Sequence, residues 1–269
     1  MQETPTHIHP SAVVDPRAEL APGVVIGAFV VIEADVVIAK DTVLFPGTIV
    51  HSGSRIGANC RLGPYAIVGG EPMDHRFQGE PSRTIIEDAV TLKDFVTVHR
   101  ATGEGEKTEV GRGSLVMSYA HISHNVRVGE ECVITTSSQL AGHCEVGSYA
   151  VLSTNTVIHQ YCRVGSYAMF AATSAALQDI LPFSMAGGSP ALHIRLNRVG
   201  LRRREVSNER YRLIEKAFRA LRQRDFEALE ALAGTSEDAK AMRDFQLSSK
   251  RGIAKFWDGQ QELRYPPYE

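Results

Sequence analysis

Residues 110–163, written in sixes, read VGRGSL VMSYAH ISHNVR VGEECV ITTSSQ LAGHCE VGSYAV LSTNTV IHQYCR. The first position of every group is Val, Ile or Leu, a spacing that no amphipathic helix or alternating strand produces. The series continues to Val164. In the same phase it runs back through Val98, Leu92 and Ile86 and then, from Val68, through Leu62, Ile56, Val50, Leu44, Ile38, Ile32, Ile26, Leu20 and Val14 to Ile8. A fixed short period of this kind marks a hexapeptide β-helix, in which three groups close one triangular coil. The residue after the anchor is often Gly, as at Gly27, Gly57, Gly63, Gly111, Gly129, Gly147 and Gly165. Those glycines read as corners that demand unusual backbone angles. The fifth position of each group is usually Val, Ala or Cys and suits a second, smaller inward site.

With 269 residues the chain can bury a large core. Its formal net charge is −2. No stretch approaches the ~20 apolar residues of a membrane helix, and the N-terminus lacks the charged and apolar regions of a signal peptide. A cytoplasmic protein with no integral membrane segment is expected. Cys60, Cys132, Cys144 and Cys162 all fall on the fifth position, so they read as inward-pointing filler rather than as disulfides or metal ligands. Nucleic acid is not expected as a partner, because there is no aromatic interleaving and no binding motif.

Near residue 180 the six-residue beat stops, and beyond Pro190 the composition turns to Arg, Glu, Leu and Ala. The expected plan is a β-helix over 1–190 and an α-helical domain over 191–269. A first helix opens near Ser207, with Leu213, Ile214, Ala217, Phe218 and Leu221 as its apolar stripe. A second runs from Asp225 to Ala233 and ends at Gly234. Thr235 with Asp238 reads as a capping box for a third, through Met242 and Phe245.

Two interruptions of the beat, at about 71–84 and 100–109, read as loops that leave the coil and return. With the loops set aside, Val50, Val68, Val98, Ile122, Leu140 and Ile158 fall on one edge, so both loops emerge from it one above the other. Because coils repeat every eighteen residues, His124, Gly142 and Gln160 form one column, and Asn125, His143 and Tyr161 the next. Coils about 4.8 Å apart then bring His124 within reach of the Gly142 amide and of His143, with His99 and His121 close by. Solvent-facing histidines on a β-helix edge are often mere surface, as His7, His9 and His51 are taken to be. His121, His124, His143 and His159 together, under two loops on one edge, are what a site needs.

The chain resembles the UDP-N-acetylglucosamine acyltransferases of lipid A synthesis. The resemblance rests on Gly79-Glu80-Pro81-Ser82-Arg83, Val98-His99-Arg100, Met117 to Val128, Leu140-Ala141-Gly142-His143, Val157-Ile158-His159-Gln160, Gln178-Asp179, Asn197, Gly200-Leu201-Arg202-Arg203 and Ser249-Lys250-Arg251-Gly252-Ile253. It implies a left-handed coil and a homotrimer with sites between adjacent subunits. It also implies transfer of an R-3-hydroxyacyl group from acyl carrier protein to the sugar 3-hydroxyl of UDP-N-acetylglucosamine. His124 would be the general base and Gly142 the oxyanion donor. No metal or cofactor would be needed, since a thioester is already activated. Asp74 and Arg76 match loop residues that meet the sugar nucleotide, and His99 and Asn125 stand beside the base. His121, His143, His159 and Gln160 match residues lining the sugar or acyl site, and Asn197 and Arg203 match the nucleotide-binding end. Ala172 stands where the family measures acyl length, in place of a glycine, which would shorten the groove slightly.

Three positions depart from the family pattern. Asn125 replaces the usual Asp after the base; an amide brings no charge to support imidazolium and is free to flip, which would cost rate. Met73 and Val199 stand where a polar amide and an acidic residue are common, which leaves a 3-amino sugar analogue open as acceptor. From Arg195 to Arg224 there are eleven Lys or Arg against three Glu, a surface suited to an acidic carrier protein or simply a solvated helix face. Two rivals remain from the sequence. A zinc hydratase of the γ-carbonic anhydrase type would use His121, His124 and His143 as ligands. A coenzyme A-dependent hexapeptide acetyltransferase is the other.

Overall fold

The structure, a computed structural model, describes residues 5–259. It is a left-handed parallel β-helix of very short strands followed by four helices. Successive strands occupy three sheets in rotation. The first sheet has eleven strands, the second nine and the third eight. Each anchor points inward, so that Ile26, Ile32, Leu62, Ile122, Leu140 and Leu152 are at most 1% exposed. Burying one such side chain stabilises the fold by about 1.5–3 kcal/mol. Backbone ladders bind each coil to the next, as Gly27 N–H to Leu44 C=O at 2.8 Å.

Register explains why the beat survives its interruptions. Partners are 18 residues apart in a plain coil (Val25 with Val43), 30 across the first loop (Ile67 with Thr97) and 24 across the second (Thr97 with His121). The inserts are therefore 12 and 6 residues, whole multiples of the repeat, and every anchor beyond them stays inside.

The glycines after the anchors serve another purpose than the one expected. They have ordinary backbone angles; the left-handed corner residues lie two positions later and are mostly not glycine, among them Asn59, Tyr65, Glu131 and Tyr149. What excludes a side chain is the next coil. A Cβ on Gly129 would stand 2.6 Å from the Ser148 nitrogen, and one on Gly57 2.5 Å from the Asp88 nitrogen.

All four cysteines are buried and free, as expected of filler. Burial pushes the Cys60 and Cys132 thiols up to about 11 and Cys144 to about 12, away from thiolate reactivity.

After the last coil an antiparallel hairpin, Ser184–Gly188 with Ala191–Leu196, extends the first sheet, and no feature of the six-residue beat marks it. Then come α1 (Arg198–Arg203), α2 (Asn208–Gln223), α3 (Phe226–Ala233) and α4 (Glu237–Leu247). α2 and α3 start and stop where the apolar stripes and caps place them. Ser207 and Asp225 are their N-caps, accepting from Arg210 N–H and Ala228 N–H. The cap of α4 is Ser236, which accepts from Ala239 N–H, and not Thr235, whose hydroxyl turns back to Leu232 C=O. Leu181, Leu201, Ile214, Phe218, Leu229 and Met242 form a second core. The segment after α4 returns to the β-helix, where Ile253 bridges Asp179 and Phe256 bridges His193.

His193 sits at that junction, 1% exposed. Its Nε2 accepts from Leu181 N–H at 2.8 Å and its Nδ1–H donates to Ala254 C=O at 2.9 Å, a pairing that only the neutral ring satisfies. Burial pushes its pKa down to about 4 from an ordinary value of 6.5. A group that is neutral when folded contributes fully above pH 6.5 and progressively less as pH falls toward 4. At about 1.4 kcal/mol per tenfold difference in proton affinity, the loss is on the order of 3 kcal/mol. Thermal melts at pH 7.5 and pH 5 should show wild type losing more stability on acidification than His193→Gln, whose amide keeps one acceptor and one donor. Equal losses would refute the assignment.

Candidate active site

The corner between the second and third sheets is unlike the other two. Both loops leave from it, residues 71–82 after Ile67–Gly70 and residues 100–106 after Thr97–His99. The stacked strands Thr97–His99, His121–Ile122, Gln139–Leu140 and Val157–Ile158 deliver successive turns to this one edge. Asn125, His143 and Tyr161 occupy the left-handed position of those turns, at φ of 58°, 61° and 63°. The columns read from the sequence are present. His143 stacks on Tyr161 with centroids 4.6 Å apart, and His124 meets His143 edge-on at 5.2 Å.

His124 is 7% exposed, and its protonation pattern is set by its neighbour. Its Nδ1 lies 2.9 Å from Asn125 Oδ1. That oxygen also accepts from Thr102 N–H at 2.9 Å, while Asn125 Nδ2 donates to Thr102 C=O at 3.0 Å. Flipping the amide would oppose donor to donor and acceptor to acceptor at both Thr102 contacts. Oδ1 therefore faces the imidazole and accepts from Nδ1–H, so that in the neutral ring Nε2 is the nitrogen with the lone pair. The free flip expected of Asn125 does not occur. The same contacts argue against restoring a carboxylate: in Asn125→Asp an oxygen would face the Thr102 carbonyl at about 3 Å, costing on the order of 1–3 kcal/mol. Melting should show that loss and turnover should not exceed wild type; a faster enzyme with an unchanged melt would contradict it.

Gly142 lies against the imidazole so closely that a Cβ would stand 2.5 Å from both Cε1 and Nε2 of His124. Its carbonyl accepts from Tyr161 N–H, and among the described residues its own N–H has no acceptor. A basic nitrogen and a free amide donor thus face the same small volume.

From the first loop Asp74 reaches the same point, its Oδ2 3.9 Å from His124 Nε2. Arg76 grips the carboxylate through Nη2 at 2.8 Å, and Nε at 3.2 Å to each oxygen, holding Asp74 well below the usual carboxylate range. The neighbouring rings are held neutral. Burial lowers His121 to about 4 and lowers His99 and His143 as well. His121 Nδ1 lies 2.7 Å from Thr97 Oγ1, and His99 meets His121 edge-on at 4.9 Å. His159 and Gln160 occupy the same edge two coils on, where Arg251 Nη2 stands 3.2 Å from His159 Nδ1.

The remaining sequence candidates lie elsewhere in the chain. Ala172 is in the turn from the first sheet to the second, and its carbonyl accepts from the Thr173 and Ser174 hydroxyls. Asn197 caps α1, accepting from Gly200 N–H and donating to Tyr167 C=O, at the corner between the third and first sheets. Arg203 is exposed in the last turn of α1. The sequence did not single out Thr97 or Thr102, because each reaches the site through a contact between coils, and it gave Arg251, within the Ser249–Ile253 segment, no role, because that residue arrives from the tail.

As for metals, the described residues that gather three potential ligand atoms within 4.8 Å are Asp74, His124 and His143. That is not the His121, His124 and His143 set of the hydratase rival, and Arg76 already donates to both Asp74 oxygens.

A hexapeptide β-helix that sets a histidine lone pair against an unpartnered glycine amide, beneath two loops, belongs with the hexapeptide-repeat acyltransferases. Residues 179–254 match the family described as Udp N-acetylglucosamine O-acyltransferase, domain 2, and residues 2–103 match that described as GMPPB C-terminal domain. The acyl-(acyl-carrier-protein)–UDP-N-acetylglucosamine O-acyltransferase of Fusobacterium nucleatum subsp. nucleatum is 46% identical over 197 residues, 71% of this chain and 77% of the relative. Its counterpart in Halorhodospira halophila is 38% identical over 257 residues, 93% of this chain and 100% of the relative. The solved UDP-N-acetylglucosamine acyltransferase of Bacteroides fragilis superimposes with a TM-score of 0.88 at 33% identity, covering 92% of this chain and 100% of that one. The chain belongs to the acyl-(acyl-carrier-protein)–UDP-N-acetylglucosamine O-acyltransferase family.

Proposed function

We propose that the chain catalyses the first step of lipid A biosynthesis, moving an R-3-hydroxyacyl group from acyl carrier protein to the 3-hydroxyl of UDP-N-acetylglucosamine, with His124 as general base. The observation that supports the base assignment is the Asn125–Thr102 lock, which selects the Nδ1–H tautomer of the neutral ring and so leaves Nε2 as its basic nitrogen. Nε2 takes the hydroxyl proton as the sugar oxygen attacks the thioester carbonyl. The developing oxyanion is held by the Gly142 N–H. Collapse breaks the C–S bond, and the thiolate leaves with the proton returned from the imidazolium. Asp74, 3.9 Å from Nε2, supplies negative charge on the side where the imidazolium forms, which Asn125 does not.

The other roles follow the family. Asp74 and Arg76 meet the sugar nucleotide, while His99, His121, Asn125, His143, His159 and Gln160 line or order the cleft. Asn197 and Arg203 lie on another corner of the same chain, so their role requires a neighbouring subunit, in keeping with a homotrimer. Ala172 limits the acyl groove. Acyl carrier protein docks on the basic helical surface, where Arg198, Arg202, Arg203, Arg212, Lys216 and Arg219 are exposed and form no ion pair among the described residues. Arg210–Asp238 is an ion pair between this surface and the acidic stretch after α2. Among the described residues no helix is long and apolar enough to cross a membrane, and soluble substrates fit a cytoplasmic enzyme.

The test is to incubate the purified protein with a series of R-3-hydroxyacyl carrier proteins and either UDP-N-acetylglucosamine or its 3-amino analogue, with and without chelator, following product by mass spectrometry. Chelator-insensitive product on the 3-hydroxyl supports the reading. Product on the amine alone reassigns the acceptor, and loss of product with chelator reopens the metal rival.

A further inference from the structure

The two loops are fastened to each other before either touches the base. Glu80 Oε1 accepts from Gly103 N–H and Oε2 from Gln78 N–H, both at 2.7 Å. Gly105 N–H donates to Pro81 C=O at 2.8 Å, Arg83 N–H to Glu106 C=O at 2.9 Å, and the Arg100 guanidinium lies 4.8 Å above the Phe77 ring. Glu80 is the acidic member of this seam, reaching across from one loop to a backbone donor of the other. The residue before Gly103 is Thr102, whose peptide N–H and C=O both hold Asn125. Four hydrogen bonds therefore connect the Glu80 carboxylate to the imidazole through the Thr102–Gly103 backbone and the Asn125 amide.

We propose that Glu80 is a positioning residue for acyl transfer: by clamping the Gly103 N–H it holds the Thr102 peptide group where that group locks Asn125 and, through it, the Nδ1–H tautomer of His124. The inference rests on the reading of His124 as base. No hydrogen bond joins Glu80 to the imidazole, so its effect on the ring tautomer passes through Thr102 and Asn125. Asp74 and Arg76 ride on the same loop, which ties the sugar-facing contacts to the orientation of the base. Without the clamp, Thr102 is free to withdraw, Asn125 loses the contacts that forbid its flip, and a flipped amide would favour the Nε2–H tautomer, which cannot accept the substrate proton.

The experiment compares wild type, Glu80→Ala and Glu80→Gln in two measurements. The first is the 15N spectrum of histidine-labelled protein near neutral pH, with the His124 signals assigned by their loss in His124→Ala. Wild type should show a protonated Nδ1 and an unprotonated Nε2, whereas in Glu80→Ala the two signals should move toward the averaged values of a mixed tautomer. The second is steady-state transfer, where Glu80→Ala should lower kcat roughly ten- to hundredfold. Glu80→Gln, which keeps one oxygen for the Gly103 N–H, should recover most of it. Glu80 lies in a surface loop outside both cores; if Glu80→Ala fails to fold, Glu80→Asp, which retracts the carboxylate by one methylene, is read the same way. An unchanged His124 tautomer, or an unchanged kcat, overturns the proposal. If wild type itself shows no transfer, the functional reading fails, while the tautomer spectrum still decides whether Glu80 sets the ring.

Discussion

Replacing His124 with alanine is expected to lower kcat/KM for transfer to UDP-N-acetylglucosamine by about a thousandfold, the scale of losing a positioned general base. The fold should survive. His124 stands on a turn at the corner, outside the stack of anchors, and its ring contributes the Asn125 hydrogen bond and edge contact with His143. Deleting one such hydrogen bond costs about 1 kcal/mol, and Asn125 keeps both bonds to Thr102. The melting curve should therefore move little while turnover collapses. Sugar-nucleotide affinity, measured by calorimetry, should stay within a few-fold, because Asp74 and Arg76 lie on the loop and hold each other independently of the ring. Retained turnover would remove His124 from the chemistry. A melt that collapsed in step with activity would instead make the histidine a structural residue and leave the base unidentified.

The repeat was legible because the inside of each coil admits one apolar anchor per side, so the period is written into the sequence with no long-range information. Even the loops obey it, since inserts of 12 and 6 residues preserve the phase. The columns at the corner followed from the same arithmetic, which is why His124, Gly142 and His143 could be brought together on paper. α2 and α3 were readable for a local reason too, in their caps and apolar stripes. What stayed hidden depends on partners distant in sequence. The hairpin at Ser184–Gly188 and Ala191–Leu196 has no hexapeptide beat, and the tail's return to Asp179 and His193 leaves no local mark. The conformation of Asn125 is decided by Thr102, 23 residues away, so residue type alone suggested a free amide where the fold fixes one. The post-anchor glycines misled for the same reason: their requirement comes from the backbone one coil on.

Gly142 brings these threads together, and its substitution is the second variant from which a large loss is expected. Its backbone angle is ordinary, so alanine would suffer no conformational penalty there. The penalty is contact. A methyl at 2.5 Å from Cε1 and Nε2 of His124 lies inside any tolerable carbon–carbon or carbon–nitrogen distance, so either the ring or the turn must move. If the ring moves, Nε2 leaves the volume it shares with the Gly142 amide and the Asn125 hydrogen bond stretches. If the turn moves, the amide itself is displaced from the developing oxyanion, and misplacing one such donor costs about 10²–10³ in rate. Both routes lower kcat, so Gly142→Ala should lose at least a hundredfold while sugar-nucleotide affinity stays within a few-fold. The two routes separate in the His124 15N spectrum, which shifts if the ring is displaced and stays as in wild type if the turn yields. Near-normal turnover in Gly142→Ala would mean that neither the close approach nor the amide matters to the reaction, and the oxyanion donor would have to be sought elsewhere on the edge.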